Sequence, residues 1–353
     1  MKKLLSVLLA VMLLAFSAAP AFALSIEAGI DELNAQFIKG AGPETNGLSI
    51  DYRYFSPVKE NDTNKYPLVV FLHGMGGGQK EGSQIESSNA AYWTSDEFQA
   101  RFTNGGAFVI LPRSDELKGV CWNDGTIEPL KAAIDDFIAH NSGNVDLTRI
   151  YVGGFSMGGK MTLKMAIAYP EMFAAAFPIC PAWAPSSTAL SYIADMPVWM
   201  TSGKPDPLVN YYFGVSKTYE KLCTVSNNPE EVRFSTLKKV CFEDGKRCPS
   251  AHHSWYAVNH DMFSSENGNY PYMTTVNGLG EAVTLTYPDG MISWLCSHTS
   301  DYNGEASVGK GNLENLREAE SMVGITSLID FFKTLFQAVS SLVSTRFTEM
   351  ESL

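Results

Sequence analysis

Away from its N-terminus the sequence has no run of the roughly 20 apolar residues that a membrane-spanning helix needs. It has no C-x-x-C pair and no His/Cys ligand spacing, so no metal site is expected. No unit of about 40–50 residues recurs, which excludes a propeller. Basic residues are the minority: 26 Lys and Arg stand against 38 Asp and Glu, a formal charge of −12. That balance argues against a nucleic-acid partner. No cofactor is expected either. What the chain does have is 45% hydrophobic residues, enough to bury a large core and exclude general disorder. Its 353 residues suit one large domain with appendages, or two domains.

The N-terminus reads as a targeting segment. Lys2 and Lys3 precede an apolar stretch from Leu4 to Phe16, and Ala21-Phe22-Ala23 offers a small-x-small cleavage site. Residues 1–23 are therefore expected to be a signal peptide, with a secreted, periplasmic or extracellular protein as the product. No Cys follows the site, which disfavours a lipid anchor there. Loss of Lys2 and Lys3 moves the formal charge from −12 to −14. The six cysteines (Cys121, Cys180, Cys223, Cys241, Cys248 and Cys296) all lie in the exported part, where disulfides are permitted. Cys241 and Cys248 flank the Asp244-Gly245 turn signal and are placed for a local bridge; the sequence does not choose among pairings.

Along the chain, short apolar runs alternate with helical patterns. Leu68–Leu72, Ala107–Leu111, Ile150–Val152, Ala174–Ile179 and Val198–Met200 read as buried strands, and Arg233–Val240 as one nearer an edge. Leu48–Phe55 alternates like an antiparallel entry strand. Helices are expected at Glu128–His140, Met157–Tyr169 and Val209–Leu222. Such alternation predicts an α/β fold, a mostly parallel twisted sheet with helices on both faces. A single α/β domain is expected over residues 24–298. Within it the polar segment 259–288 reads as an insertion. Residues 299–320 read as a linker and 321–353 as an amphipathic helical tail. In that tail Ile325, Phe332 and Val339 step by seven, as do Leu328, Leu335 and Leu342. Docking on the α/β domain, self-association and membrane-surface contact are its open readings. A polar face with few Lys or Arg weakens the membrane reading.

Chemistry concentrates at Gly154-Phe155-Ser156-Met157-Gly158, a G-x-S-x-G pattern that follows a strand and opens a helix. A nucleophile needs this setting: a tight turn exposes the hydroxyl, and the helix N-terminus aims N–H groups at a developing oxyanion. A Gly-rich turn with an incidental Ser is the plain alternative. The chain order Ser, Asp, His of this arrangement then selects partners. Asp206 leaves the C-terminal edge of a strand; a turn-forming Asp is its plainer reading. Asp195 sits at the wrong strand end, and Asp244 in a later turn. The base is His252 or His253, which spacing does not separate, while His260 reads as a surface or supporting residue. The Gly-rich loop His73-Gly74-Met75-Gly76-Gly77-Gly78 should supply an oxyanion N–H from Met75, or from Gly74, to complement that of Met157. His73 suits bracing of that loop beside the substrate.

The run from Val145 to Gly159, with Tyr169-Pro170-Glu171 and Phe173–Cys180, resembles the secreted α/β-hydrolase esterases. The groups it looks like are polyhydroxybutyrate-depolymerase-like enzymes, feruloyl or acetylxylan esterases, and related predicted peptidases of the prolyl-oligopeptidase clan. The resemblance covers residues 45–297. It implies that His-x-x-Trp marks the catalytic His, which His252-His253-Ser254-Trp255 matches with His252 as base. It also implies that Cys121-Trp122 stands near the acyl site, with Trp122 lining the pocket. Trp255 and Trp183 are further candidate surfaces for an aryl group or sugar, with core packing the plainer reading of each. Three functions compete. The first is a serine carboxylic-ester hydrolase acting on small or polysaccharide-linked acyl or aryl esters. The second is a serine peptidase of the same architecture, and the third a binding module on a dead scaffold.

Overall fold

The computed structural model describes residues 34–304 and residue 316, except 88, 89, 243, 244, 266 and 267. The signal-peptide segment, Asp244 and the amphipathic tail lie outside the described residues. Eleven strands are defined: β1 (Ile38–Ala41), β2 (Asp51–Phe55), β3 (Tyr66–Leu72), β4 (Phe108–Arg113), β5 (Val145–Phe155), β6 (Ala175–Ile179), β7 (Val198–Gly203), β8 (Val232–Leu237), β9 (Ser264–Ser265), β10 (Gly268–Asn269) and β11 (Met273–Asn277). The short β9 and β10 pair only with each other. The other nine form one sheet in the order β1-β2-β4-β3-β5-β6-β7-β8-β11. Strands β4 to β8 run parallel in that sheet, and β1, β2 and β11 are antiparallel to their neighbours. This is the α/β-hydrolase architecture.

The apolar runs became the central strands because both faces of the sheet are covered. Every residue of β3, β6 and β7 is buried. One face packs against α1 (Ile127–His140) and α2 (Met157–Ala168), through Leu130, Ile134, Phe137, Met161 and Met165. The other face carries Trp93, Phe102, Trp199, Trp255 and Trp294. Trp199 is the centre of that side. Its indole N–H donates to Ser235 Oγ at 2.8 Å, its ring meets Trp294 edge-on at 5.4 Å, and the Arg233 guanidinium lies 5.0 Å above it.

Several expectations need correction. The segment 259–288 is not simply an insertion, because Met273–Asn277 forms β11 and extends the main sheet from β8. Its Thr-Thr-Val-Asn is half-exposed edge sequence, so its polarity hid the strand. Arg101 pins this region: it pairs with Asp261 and donates to the Pro288 carbonyl at 2.9 Å, while Asp261 accepts from Met291 N–H at the start of α4 (Met291–Cys296). The helix expected from Val209 starts later, as α3 (Ser216–Val225), behind a π-helical turn at Tyr211–Val215 capped by Asn210. Among the described residues no disulfide is formed, so the expected Cys241–Cys248 bridge is absent. No described helix is long and apolar enough to cross a membrane.

Trp199→Ala removes this central ring and is expected to cost about 3–5 kcal/mol. Urea unfolding should show a lower midpoint at unchanged slope; an unchanged midpoint would contradict the packing described.

Candidate active site

The C-terminal ends of the parallel strands bring the expected chemistry to one edge. β5 ends at Phe155, and α2 begins at Met157. Ser156 between them adopts φ 56° and ψ −115°, a conformation non-glycine residues rarely hold. Its N–H donates to the Ile179 carbonyl at 2.9 Å, and its carbonyl accepts from Lys160 and Ala182 N–H at 2.9 and 3.0 Å. The turn is fixed from both sides. Gly158 is required because a Cβ there would lie 2.0 Å from the Leu72 carbonyl oxygen. Met157 opens the helix, so its N–H has no partner within that helix.

Asp206 leaves β7 in a turn of its own making. Its Oδ1 accepts from the N–H groups of Leu208 and Val209 at 2.8 and 3.0 Å. Its Oδ2 meets His252 Nδ1 at 2.8 Å. The His loop is shaped by Ser250, whose Oγ accepts from His252 N–H at 3.1 Å and caps the short turn Ala251–His253. Asp206 is thus joined to His252, while His253 is turned away, with Nδ1 3.1 Å from the Ser250 carbonyl. Burial by itself would lower the His252 pKa. The adjacent Cys180 sulfur and the Asp206 carboxylate outweigh it and hold the imidazole well above its usual 6.5. At His253 burial, with the neighbouring His252 charge, outweighs the support of the Ser250 carbonyl and Asp206 and takes the pKa below that value.

The glycine loop after β3 forms a turn in which Gly77 N–H donates to the Gly74 carbonyl at 3.2 Å. Gly76 holds φ 93°, the left-handed position that such a turn reserves for glycine. Its N–H is taken by both carboxylate oxygens of Glu116, at 3.0 and 2.9 Å. Met75 sits at the tip with its side chain half exposed, and its N–H takes part in neither bond. Glu116 was not anticipated from sequence. Its only signal was an acidic residue in the loop after the neighbouring strand β4. Burial raises its pKa, partly offset by the Gly76 and Gly78 backbone bonds.

Trp122 and Trp255, expected to touch substrate, are buried instead, and His73 braces its loop without an exposed face. His73 and Trp122 are each 1% exposed. Trp122 donates its indole N–H to the His73 carbonyl at 3.0 Å, and His73 Nε2 accepts from Ser114 N–H at 3.1 Å. Both brace the glycine loop from beneath. Burial takes the His73 pKa down to about 4, so it stays neutral. Trp255 is 9% exposed and packs 5.5 Å from Phe155, in the core behind the Ser156 turn. His260 is buried too, stacked 3.9 Å from Tyr256, rather than at the surface. Trp183, two residues beyond Pro181, is only partly buried and has the Lys164 ammonium 4.8 Å over its ring. Lys164 itself is buried on α2 and paired with Asp124.

Residues 123–244 match the phospholipase/carboxylesterase family. The chain is 30% identical over 125 residues to poly(3-hydroxyalkanoate) depolymerase C of Paucimonas lemoignei, covering 32% of this chain and 27% of that one. It is 29% identical over 134 residues to feruloyl esterase B of Neurospora crassa, covering 35% and 41% respectively. Among solved structures, a thermostable esterase superposes with a TM-score of 0.55 at 28% identity, covering 65% of this chain and 61% of the other. The chain spans less than half the length of the curated relatives it matches.

The geometry fixes an expectation for His252 that is independent of turnover. Its NMR titration midpoint should lie above 6.5 and fall in Asp206→Asn, which removes the negative charge. Because the folded value is raised, the stability His252 contributes is complete below 6.5 and is lost as pH climbs through the folded midpoint. A midpoint below 6.5 in the wild type would refute the pairing.

Proposed function

We propose that this protein is an exported serine carboxylic-ester hydrolase. The observation that carries the reading is the 2.8 Å Asp206–His252 contact at the same sheet edge as the strained Ser156 turn. Ser156 Oγ attacks the ester carbonyl, and His252 takes its proton on Nε2. Asp206 keeps the other proton on Nδ1 and stabilises the imidazolium. The N–H groups of Met157 and Met75 receive the developing oxyanion, with Glu116 holding the loop that presents Met75. The proton returns from His252 to the departing alkoxide. An acyl-enzyme remains, which water clears by the reverse use of the same groups.

Short acyl esters and aryl or acyl esters attached to polysaccharide are the proposed substrates, in keeping with the names of the similar depolymerase and feruloyl esterase. The apolar leader at residues 1–23 is the basis for proposing export, with Leu24 as the first mature residue.

Ser156→Ala should lower kcat/KM for p-nitrophenyl acetate by about 10⁴-fold or more with the fold intact by circular dichroism. Unchanged turnover would sink the mechanism. Across methyl ferulate, acetylated xylan, p-nitrophenyl butyrate and an aminoacyl anilide, the esters should be turned over and the anilide left. The opposite preference would make the protein a peptidase. Since His252 must be neutral to accept a proton and its pKa is raised, kcat/KM should climb with pH through a midpoint above 6.5. Glu116→Ala frees the glycine loop and should reduce kcat by about tenfold, less than the roughly 10²–10³-fold lost when an oxyanion donor itself is removed. A variant as fast as wild type would remove Glu116 from this role.

A further inference from the structure

A buried thiol lies against the catalytic pair without a part in acyl transfer. Cys180 follows β6 directly and holds φ 35°, with its N–H bound to the Thr201 carbonyl at 2.8 Å. Its side chain is buried, and Sγ lies 3.6 Å from the His252 carbonyl oxygen. Cys180 Sγ, a ring nitrogen of His252 and a carboxylate oxygen of Asp206 all lie within 4.8 Å of one another. Donors around a tetrahedral zinc ion sit about 3.5 Å apart, from bond lengths of about 2.0–2.3 Å. To share one ion the widest pair would close by about 1.3 Å at most, while the Asp206–His252 pair, now at 2.8 Å, would open by about 0.7 Å. Thiolate, imidazole and carboxylate together are a zinc-type donor set. Solvent reaches the cluster from the side of His252, whose side chain is 13% exposed while that of Asp206 is fully buried.

We propose that Cys180, His252 and Asp206 form an inhibitory site for Zn²⁺ and similar thiophilic divalent cations. The inhibition rests on the triad reading above; the binding does not. On binding, the Cys180 thiol releases its proton to solvent and the thiolate bonds the metal. The His252 proton that faces Asp206 moves from Nδ1 to Nε2, and Nδ1 gives its lone pair to the ion. One Asp206 oxygen completes the protein ligands. The ring then carries N–H on the side that must accept the Ser156 proton, so acylation stops. The exchange is reversible and involves no oxidation.

Two readouts on the full chain separate binding from catalysis. Co²⁺ titration of the reduced protein should produce a thiolate-to-cobalt charge-transfer band that disappears in Cys180→Ser and Cys180→Ala. Zn²⁺ should inhibit p-nitrophenyl acetate hydrolysis, with EDTA restoring it. In the two variants the half-inhibiting Zn²⁺ concentration, measured against each variant's own metal-free rate, should rise at least about tenfold. Two substitutions guard against one that fails to fold, and thermal melts check both. Equal Zn²⁺ sensitivity in wild type and both variants, or a cobalt band that survives both, would overturn the site. A Cys180-dependent cobalt band in a chain that hydrolyses no ester would keep the site and refute the triad reading instead. Hydrolysis untouched by Zn²⁺ would do the reverse.

Discussion

Ser156 is held in a backbone conformation that costs on the order of 1–3 kcal/mol, and the surrounding structure has to over-determine it. Three strands do so. β5 delivers the chain to the turn, β6 accepts the Ser156 N–H through the Ile179 carbonyl, and the end of β3 presses its Leu72 carbonyl against Gly158. A residue larger than glycine at 158 would push the helix off the sheet. The parallel order β3-β5-β6 is therefore a condition of the site as well as of the core, since only this order puts Leu72 and Ile179 on opposite sides of the turn.

The rest of the edge is organised by satisfying charge in places that water barely reaches. Asp206 spends one oxygen on two backbone N–H groups and the other on His252, so its orientation is fixed before any substrate arrives. Glu116 places both oxygens on the Gly76 N–H, which stabilises a turn that two further glycines leave intrinsically loose. Lys164 with Asp124, and Arg101 with Asp261, follow the same rule away from the reacting groups. Loss of Asp124 would leave the buried Lys164 ammonium uncompensated, and loss of Arg101 the buried Asp261 carboxyl group. Asp206 and Glu116 are thus held by several hydrogen bonds each, while Met75 and Trp183 remain partly open to solvent.

The legible parts of the fold were those where burial on both faces leaves an unmistakable imprint. The runs at Leu68–Leu72 and Ala174–Ile179 became β3 and β6 almost residue for residue, and Glu128–His140 became α1. Met273–Asn277 was missed because an edge strand buries only alternate residues, and two of its five are threonines. The Val209 helix start was misjudged because Asn210 caps a π-helical turn first, a choice made by local hydrogen bonding that apolar spacing does not register. The aromatic residues went wrong for a different reason. Trp122 and Trp255 look like ligand surfaces in sequence, but a large ring near a site is as useful for bracing a loop as for meeting a substrate.

What the sequence determined by itself was the order of parts. A strand, a Gly-x-Ser-x-Gly turn and a helix, then an Asp off a strand end and a His pair, are local patterns, and local patterns survive in one dimension. What the tertiary structure alone decided was which distant groups meet. It joined His252 rather than His253 to Asp206, put Glu116 under Gly76, and brought Cys180 beside both Asp206 and His252. These residues sit 26 to 72 positions apart in pairs, on loops whose meeting depends on strand order and twist. No periodicity carries that information, because the contacts arise from the closing of the sheet edge rather than from any one segment.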